Sequence, residues 1–263
     1  MKVLFIGDVC GSSGIKMCEY AIKKLKEEGA EFDFIIANGE NAAGGLGINY
    51  LLAKELYAMG VDVITMGNHT WSRKEILNFI DDDKRLLRPV NFHQSTPGRG
   101  SALISKNGMT LGVINAIGTA FMDPNECPFM ACDRELEEVK KHTKSVLIDI
   151  HAEATSEKNA LAWYLDGRVS AVIGTHTHVQ TADERILDCG TGFITDVGMV
   201  GPYNGVIGVD KELSIRKFIS RIPEKYELAG GECQFNGVSF EIDEQTGKCL
   251  NIERLRIFAN VGK

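Results

Sequence analysis

The sequence predicts an α/β protein built on a mixed sheet or on two packed sheets. Three observations carry this. Short apolar, β-branched runs alternate with helical patterns near the amino terminus, and the same alternation returns between residues 145 and 175. Hairpin patterns lie between these segments and after them.

The elements follow in order. Lys2–Gly7 is an apolar run expected as a buried strand, with Asp8–Gly14 as a loop and Ile15–Glu28 as a helix stopped by Gly29. Phe32–Ala37 is the second strand, followed by the loop Asn38–Gly47 and a helix over Asn49–Met59. Val61–Met66 is the third strand and leads into Gly67-Asn-His-Thr-Trp71. Ser72 and Glu75 then have the spacing of a capping box that opens a helix. Ser101–Lys106 and Met109–Asn115 flank Asn107-Gly108, the pair favoured in two-residue hairpin turns. A helix over Asp133–His142 precedes the strand Ser145–Ile150, which ends at His151. A second helix over Lys158–Leu165 leads into the strand Val169–Thr175. Beyond a Gly-rich stretch, Val197–Gly208, come a helix near Lys211–Ile219 and a long hairpin over Glu232–Phe258 turning near Glu244–Gly247. No repeat, low-complexity segment or long linker divides the chain, so residues 1–263 are expected to form one domain.

Composition narrows the class. A chain of 263 residues buries a substantial core, and 44% hydrophobic with 25% charged content is that of a soluble globular protein. No apolar run approaches the roughly 18–20 residues that cross a bilayer. The amino terminus enters a strand pattern without a small-residue cleavage site, and seven scattered cysteines suit reduced thiols, so a cytoplasmic location is expected. The net charge of −7 with no lysine-arginine block argues against long nucleic acid as a partner. An acidic chain that takes a phosphate ester must attract it with something else, and bound metal would do so.

Candidate site residues gather at strand ends. His176 and His178, in Gly174-Thr-His-Thr-His178, follow an apolar run; on an extended chain they would project to one face. Asp8, the Asn38-Glu40-Asn41 group, Asn68-His69 and His151 each follow another such run. Open α/β sheets bind ligands at the carboxyl ends of their strands, so five ends converge on one expected site. Asp, Glu, Asn and His make a mixed oxygen and nitrogen donor set, suited to manganese, iron, zinc, cobalt or nickel. Seven donors are too many for one ion and about right for two. A carboxylate such as Glu40 can bridge ions about 3.5–4 Å apart, the arrangement of two-metal phosphoester hydrolysis. Two divalent ions bring four positive charges against the two negative charges of Asp8 and Glu40, which leaves the site positive enough to attract a phosphodiester.

Each residue also has a plainer reading. Asp8 suits a helix cap, Asn38, Glu40 and Asn41 suit turn residues, Asn68-His69 suits a cap, and His151 suits a buried structural histidine. Their joint occurrence at five strand ends favours the site. His93 and His142 lie away from such ends. The run Lys2–Gly14 lacks the second glycine of a dinucleotide-binding turn, since Val9 stands there, and it has no Walker lysine.

Gly7-Asp8-Val9, Asn38-Gly39-Glu40-Asn41, Gly67-Asn68-His69, His151 and Gly174-Thr-His-Thr-His178 together resemble the blocks of the calcineurin-like metallophosphoesterases. They are most similar to the YmdB-type branch of bacterial 2′,3′-cyclic-nucleotide phosphodiesterases, and Thr195–Pro202 resembles that branch too. The resemblance implies a four-layer α/β/β/α sandwich with two mixed β-sheets flanked by helices and a dinuclear site at the strand ends. It implies that Asp8 and His178 hold one ion with Asn41 nearby, that Asn68, His151 and His176 hold the other, and that Glu40 bridges them. It further implies iron or manganese as the metal, His69 as the residue assisting the leaving oxygen, and a homo-oligomer. Cys10 stands where most metallophosphoesterases have a histidine, as is usual in this branch, and it is not expected to be a ligand. Thr119 follows Gly118 where the branch implies an arginine. The expected function is hydrolysis of a cyclic nucleotide by in-line attack of metal-bound hydroxide, with the choice between 2′,3′-cyclic and 3′,5′-cyclic substrates left open by the sequence. The alternatives are a phosphatase or nuclease with another phosphoester substrate, and a non-catalytic regulatory protein that binds metal and nucleotide.

Overall fold

The computed structural model describes residues 1–261. Strand β1 (Lys2–Ile6) passes through Gly7 into β2 (Asp8–Val9) and helix α1 (Gly11–Glu27); β3 (Phe34–Asn38), α2 (Tyr50–Ala58), β4 (Val63–Thr65) and β5 (Leu86–Leu87) follow. The hairpin β6 (Ser101–Lys106) and β7 (Met109–Ile117) leads to α3 (Pro128–Val139), β8 (Val146–His151), α4 (Thr155–Tyr164) and β9 (Ala171–Thr175). Short strands β10 (Arg185–Ile186), β11 (Gly192–Ile194) and β12 (Met199–Pro202) precede α5 (Lys211–Ser220) and the closing hairpin β13 (Cys233–Ile242) and β14 (Cys249–Ala259).

Two mixed sheets result. The first has the order β2-β12-β13-β1-β3-β4-β5, with β14 also paired to β13; the second has the order β10-β11-β9-β8-β7-β6. Parallel pairing joins β1, β3, β4 and β5 in one sheet and β7, β8, β9 and β11 in the other. The side-chain period of two assigns the faces. Val3 and Phe5 point into a core between the sheets, while Leu4 and Ile6 point into one beneath α1 and α2. In β8, Leu147 joins the inter-sheet core, and Val146, Ile148 and Ile150 face α3 and α4. Strands buried on both faces read as unbroken apolar runs, which is why the alternation is invisible in the sequence. The layers are therefore helix, sheet, sheet, helix. No helix of the described residues is long and apolar enough to cross a membrane.

The structure corrects several boundaries. Helix α1 begins at Gly11 and not Ile15, and Asp8–Val9 is a short strand that pairs with Met199–Val200 and not a loop. The helix expected after Ser72 is only a 3₁₀ turn, Lys74–Asn78, whose cap residue Arg73 makes no side-chain cap. Ser72 Oγ lies 3.3 Å from His69 Nδ1, so the capping hydroxyl serves the histidine. The Asn107-Gly108 turn forms as expected, both residues taking the positive φ that this hairpin needs.

Candidate metal centre

The carboxyl ends of β1, β3 and β4 meet those of β8 and β9, and two clusters of lone-pair donors form there. The first surrounds His151 Nε2. Glu40 Oε1 lies 2.9 Å away, Asn68 Oδ1 3.1 Å and His176 Nδ1 3.1 Å. His151 is fully buried, and its other nitrogen lies 2.9 Å from Thr175 Oγ1. That hydroxyl donates to Asp149 Oδ1 at 2.7 Å, so it accepts the Nδ1–H of His151. Any proton on Nε2 is therefore the second one, and the ring has a lone pair for a cation once that proton leaves. Glu40, His151 and His176 each offer a ligand atom, all within 4.8 Å of one another. Edges near 3 Å are those of donors around one ion with bonds of about 2.1 Å.

Glu40 is held at both ends. Its backbone N–H donates to Asn38 Oδ1 at 3.1 Å, and its Oε2 accepts the backbone N–H of His69 at 3.0 Å. Burial opposes its charge, but His151 and the His69 amide outweigh burial and bring its pKa down to about 2. Burial likewise opposes a charged His151, yet Glu40 outweighs it and raises the histidine. Gly67 makes the approach possible: a Cβ there would lie 2.2 Å from His151 Cδ2 and 2.4 Å from Glu40 Oε2.

The second group is Asn41 and His178, and Asp8 stands beside both groups: its Oδ1 lies 3.8 Å from His151 Nδ1 and its Oδ2 accepts the His176 N–H at 3.3 Å. The carbonyl of Ile207, 3.0 Å from His178 Nδ1, can only accept, so Nδ1 carries the proton and Nε2 faces Asn41 Oδ1 at 3.3 Å. Asn41 donates its Nδ2 to Gly45 O at 2.8 Å, which fixes its oxygen toward the histidine. Asp8 Oδ1 is buried and has no hydrogen-bond partner among the described residues. Burial pushes the Asp8 carboxyl up to about 7, although His178 and His151 pull it down. Acceptors that face acceptors in a buried place are costly, and a cation resolves the conflict. The donor chemistry of both clusters thus fits divalent metal.

The two cleft histidines do not lie on an extended chain. His176 has φ +107° and His178 φ +66°, and the turn sends one ring to each cluster. Backbone held in such conformations is costly and persists only where surroundings enforce it. Here Asp196 enforces it: Oδ2 accepts the Thr177 N–H at 3.0 Å and Lys158 Nζ at 2.7 Å, and Oδ1 accepts the Gly198 N–H at 2.8 Å. Lys158 and Asp196 are both fully buried.

Glu40, Asn41, His176 and His178 line a cleft of about 330 Å³ together with His69, Glu153, Ile207 and Tyr226, while Asp8, Asn68 and His151 do not line it. Among the described residues, no lysine or arginine lines it. His69 is half-buried, and burial lowers its pKa. Cys10 Sγ lies 3.9 Å from His178 Nδ1, the nitrogen already given to Ile207, and so stands outside the donor set. Thr119 is tied by its N–H and hydroxyl to Glu157 Oε1, at 2.9 and 3.0 Å, and does not reach the cleft. Sequence reasoning missed Asp149, Thr175, Lys158 and Asp196. Asp149 had a signal, as the one acid in Val146–His151, two residues before His151 and on the same strand face.

The four layers are those of a metallophosphoesterase-like fold. A Haemophilus influenzae NAD nucleotidase, 13% identical, shares the fold with a TM-score of 0.59 over 97% of this chain and 55% of its own. The chain belongs to the YmdB-like protein family, whose model matches residues 4–255. It is 51% identical over 257 residues to the 2′,3′-cyclic-nucleotide 2′-phosphodiesterase of Bacillus subtilis, covering 98% of this chain and 97% of that one. The crystal structure of a Mycoplasma pneumoniae phosphatase superposes with a TM-score of 0.91 at 38% identity, over 98% of this chain and 93% of that one.

Proposed function

We propose that this protein is a phosphodiesterase dependent on two divalent ions that opens 2′,3′-cyclic nucleotides at the 2′ ester. The observation that carries this is the gathering of buried Asp, Glu, Asn and His donors beside a cleft that, among the described residues, no lysine or arginine lines. The similarity to the B. subtilis enzyme supports the substrate class and the bond broken. In this reading Asn68, His151 and His176 would hold one ion and Asp8, Asn41 and His178 the other, with Glu40 available to both. Iron or manganese suits these mixed donors. The bound ions supply Lewis acidity, neutralise charge on the phosphoryl oxygens and acidify water.

The chain's own residues do the rest. Asp149, through Thr175, keeps the proton of His151 on the nitrogen turned away from the cleft. Ile207 does the same for His178. As the water oxygen bonds to phosphorus, the bond from phosphorus to the ribose 2′ oxygen breaks; His69 gives that oxygen a proton, and the proton released by the water passes to solvent, from which His69 is recharged. As the imidazolium that protonates the 2′ oxygen, His69 keeps its other proton on Nδ1, which donates to Ser72 Oγ 3.3 Å away.

The test is chelator-stripped protein reconstituted with manganese or iron and given 2′,3′-cyclic AMP, with product chromatography. Metal-dependent formation of 3′-AMP is expected. No conversion with two ions bound per chain rejects the reading, and 3′,5′-cyclic AMP assayed alongside reports whether the larger ring is also opened.

A further inference from the structure

Two cavities share a wall. The contact between His178 Nδ1 and the Ile207 carbonyl separates the metal cleft from a second cavity of about 260 Å³, and both residues line both spaces. Its rim carries an aromatic platform: Tyr203 is 44% exposed, and its ring meets Phe258 edge-on at 4.9 Å. The Arg256 guanidinium lies 5.7 Å from the Tyr203 ring and 4.8 Å from that of Phe258, and it donates to Gln234 Oε1 at 3.2 Å. That leaves further guanidinium N–H groups and the Gln234 amide nitrogen as donors. Asn236 also lines the cavity, 1% exposed, and its Oδ1 has no hydrogen-bond partner. Ile207 forms the apolar crest between the two spaces.

We propose that this second cavity is a nucleobase subsite, in which Tyr203 stacks on the base while Arg256, Gln234 and Asn236 meet its polar edge. The chemistry that fits is a flat ring with an apolar face and an edge of mixed donors and acceptors. Single bases are commonly bound by stacking on aromatic rings and guanidinium planes. The sharing of His178 places the subsite next to the proposed metal ligands, so a nucleotide with its phosphate in the cleft passes its ribose over Ile207. This inference rests on the cyclic-nucleotide reading above.

The test compares 2′,3′-cyclic AMP with the base-free analogue methyl riboside 2′,3′-cyclic phosphate, using manganese-loaded protein. Tyr203→Ala is expected to lower the ratio of kcat/KM for the nucleotide to that for the analogue by about ten-fold, the scale of one lost base–aromatic stack. Tyr203→Phe keeps the ring and is expected to restore the ratio. An unchanged ratio in Tyr203→Ala overturns the subsite while leaving the reaction intact. A ratio that falls in Tyr226→Ala instead also overturns it, because the base then lies in the metal cleft. A wild type that opens neither compound overturns the reaction and the subsite together.

Discussion

Thr175 Oγ1 donates to Asp149 Oδ1 at 2.7 Å, and this single bond leaves the hydroxyl oxygen to accept the proton on His151 Nδ1. A buried carboxylate thus controls the protonation of a proposed metal ligand through an intervening hydroxyl. Partners of this kind typically contribute 10- to 100-fold in metal affinity or activity. Thr175→Val removes the hydroxyl at nearly constant volume, so manganese affinity is expected to fall by about 10–100-fold. Isothermal titration of the stripped protein measures it, and wild-type affinity would remove Thr175 from the design.

His69 holds Glu40 through its backbone N–H, not through its ring. Its side chain can therefore be removed without releasing the carboxylate. His69→Ala is expected to lower turnover of 2′,3′-cyclic AMP by about 10²–10⁴-fold, the usual scale for a proton donor, while two ions per chain remain. Turnover and metal content measured on the same sample separate the roles. A variant that loses its metal would show a structural role instead.

Asp8 gives the metal-free protein a pH dependence of definite sign. Burial lifts its folded pKa to about 7, above the value of about 3.9 for an unfolded aspartate. Between these values the folded chain holds a proton that the unfolded chain has released, so this group's contribution to stability falls as pH rises from about 4 to 7. Relative to Asp8→Asn, the chelated wild type should therefore melt progressively lower across that window. Added manganese at pH 7 should raise the wild type more than the variant. Calorimetry at several pH values reads both, and parallel melting curves would contradict the assignment.

What was legible in the sequence follows from where chemistry-bearing residues interrupt apolar runs. Asp8, Glu40, Asn68 and His151 could be read because each stands just past a strand buried on both faces, where a polar residue has few other reasons to be. Asp149 was hidden inside such a run, and its role depends on Thr175 from the neighbouring strand. The histidine turn was read as extended because a positive φ at a non-glycine residue has no local signature; it is imposed by Asp196, eighteen residues after His178. The helix after Ser72 was expected from a spacing alone, and a tertiary partner, His69, claimed the hydroxyl.

The buried pair of Lys158 and Asp196 is the last relationship with a measurable consequence. Asp196 Oδ2 accepts both Lys158 Nζ and the Thr177 N–H, so the ion pair and the strained turn share one oxygen. Lys158→Met leaves the carboxylate buried without its cation, and unfolding free energy is expected to drop by about 3–5 kcal/mol. The double variant Lys158→Met with Asp196→Asn removes the unpaired charge and should recover much of that loss. One amide oxygen, however, replaces the two carboxylate oxygens that held Thr177 and Gly198. The turn is then free to relax from its positive φ, and His176 and His178 move off their clusters. The double variant is thus expected to regain melting temperature without regaining metal affinity. If it binds two ions as tightly as the wild type, the pair supports folding alone and the turn is enforced by something else.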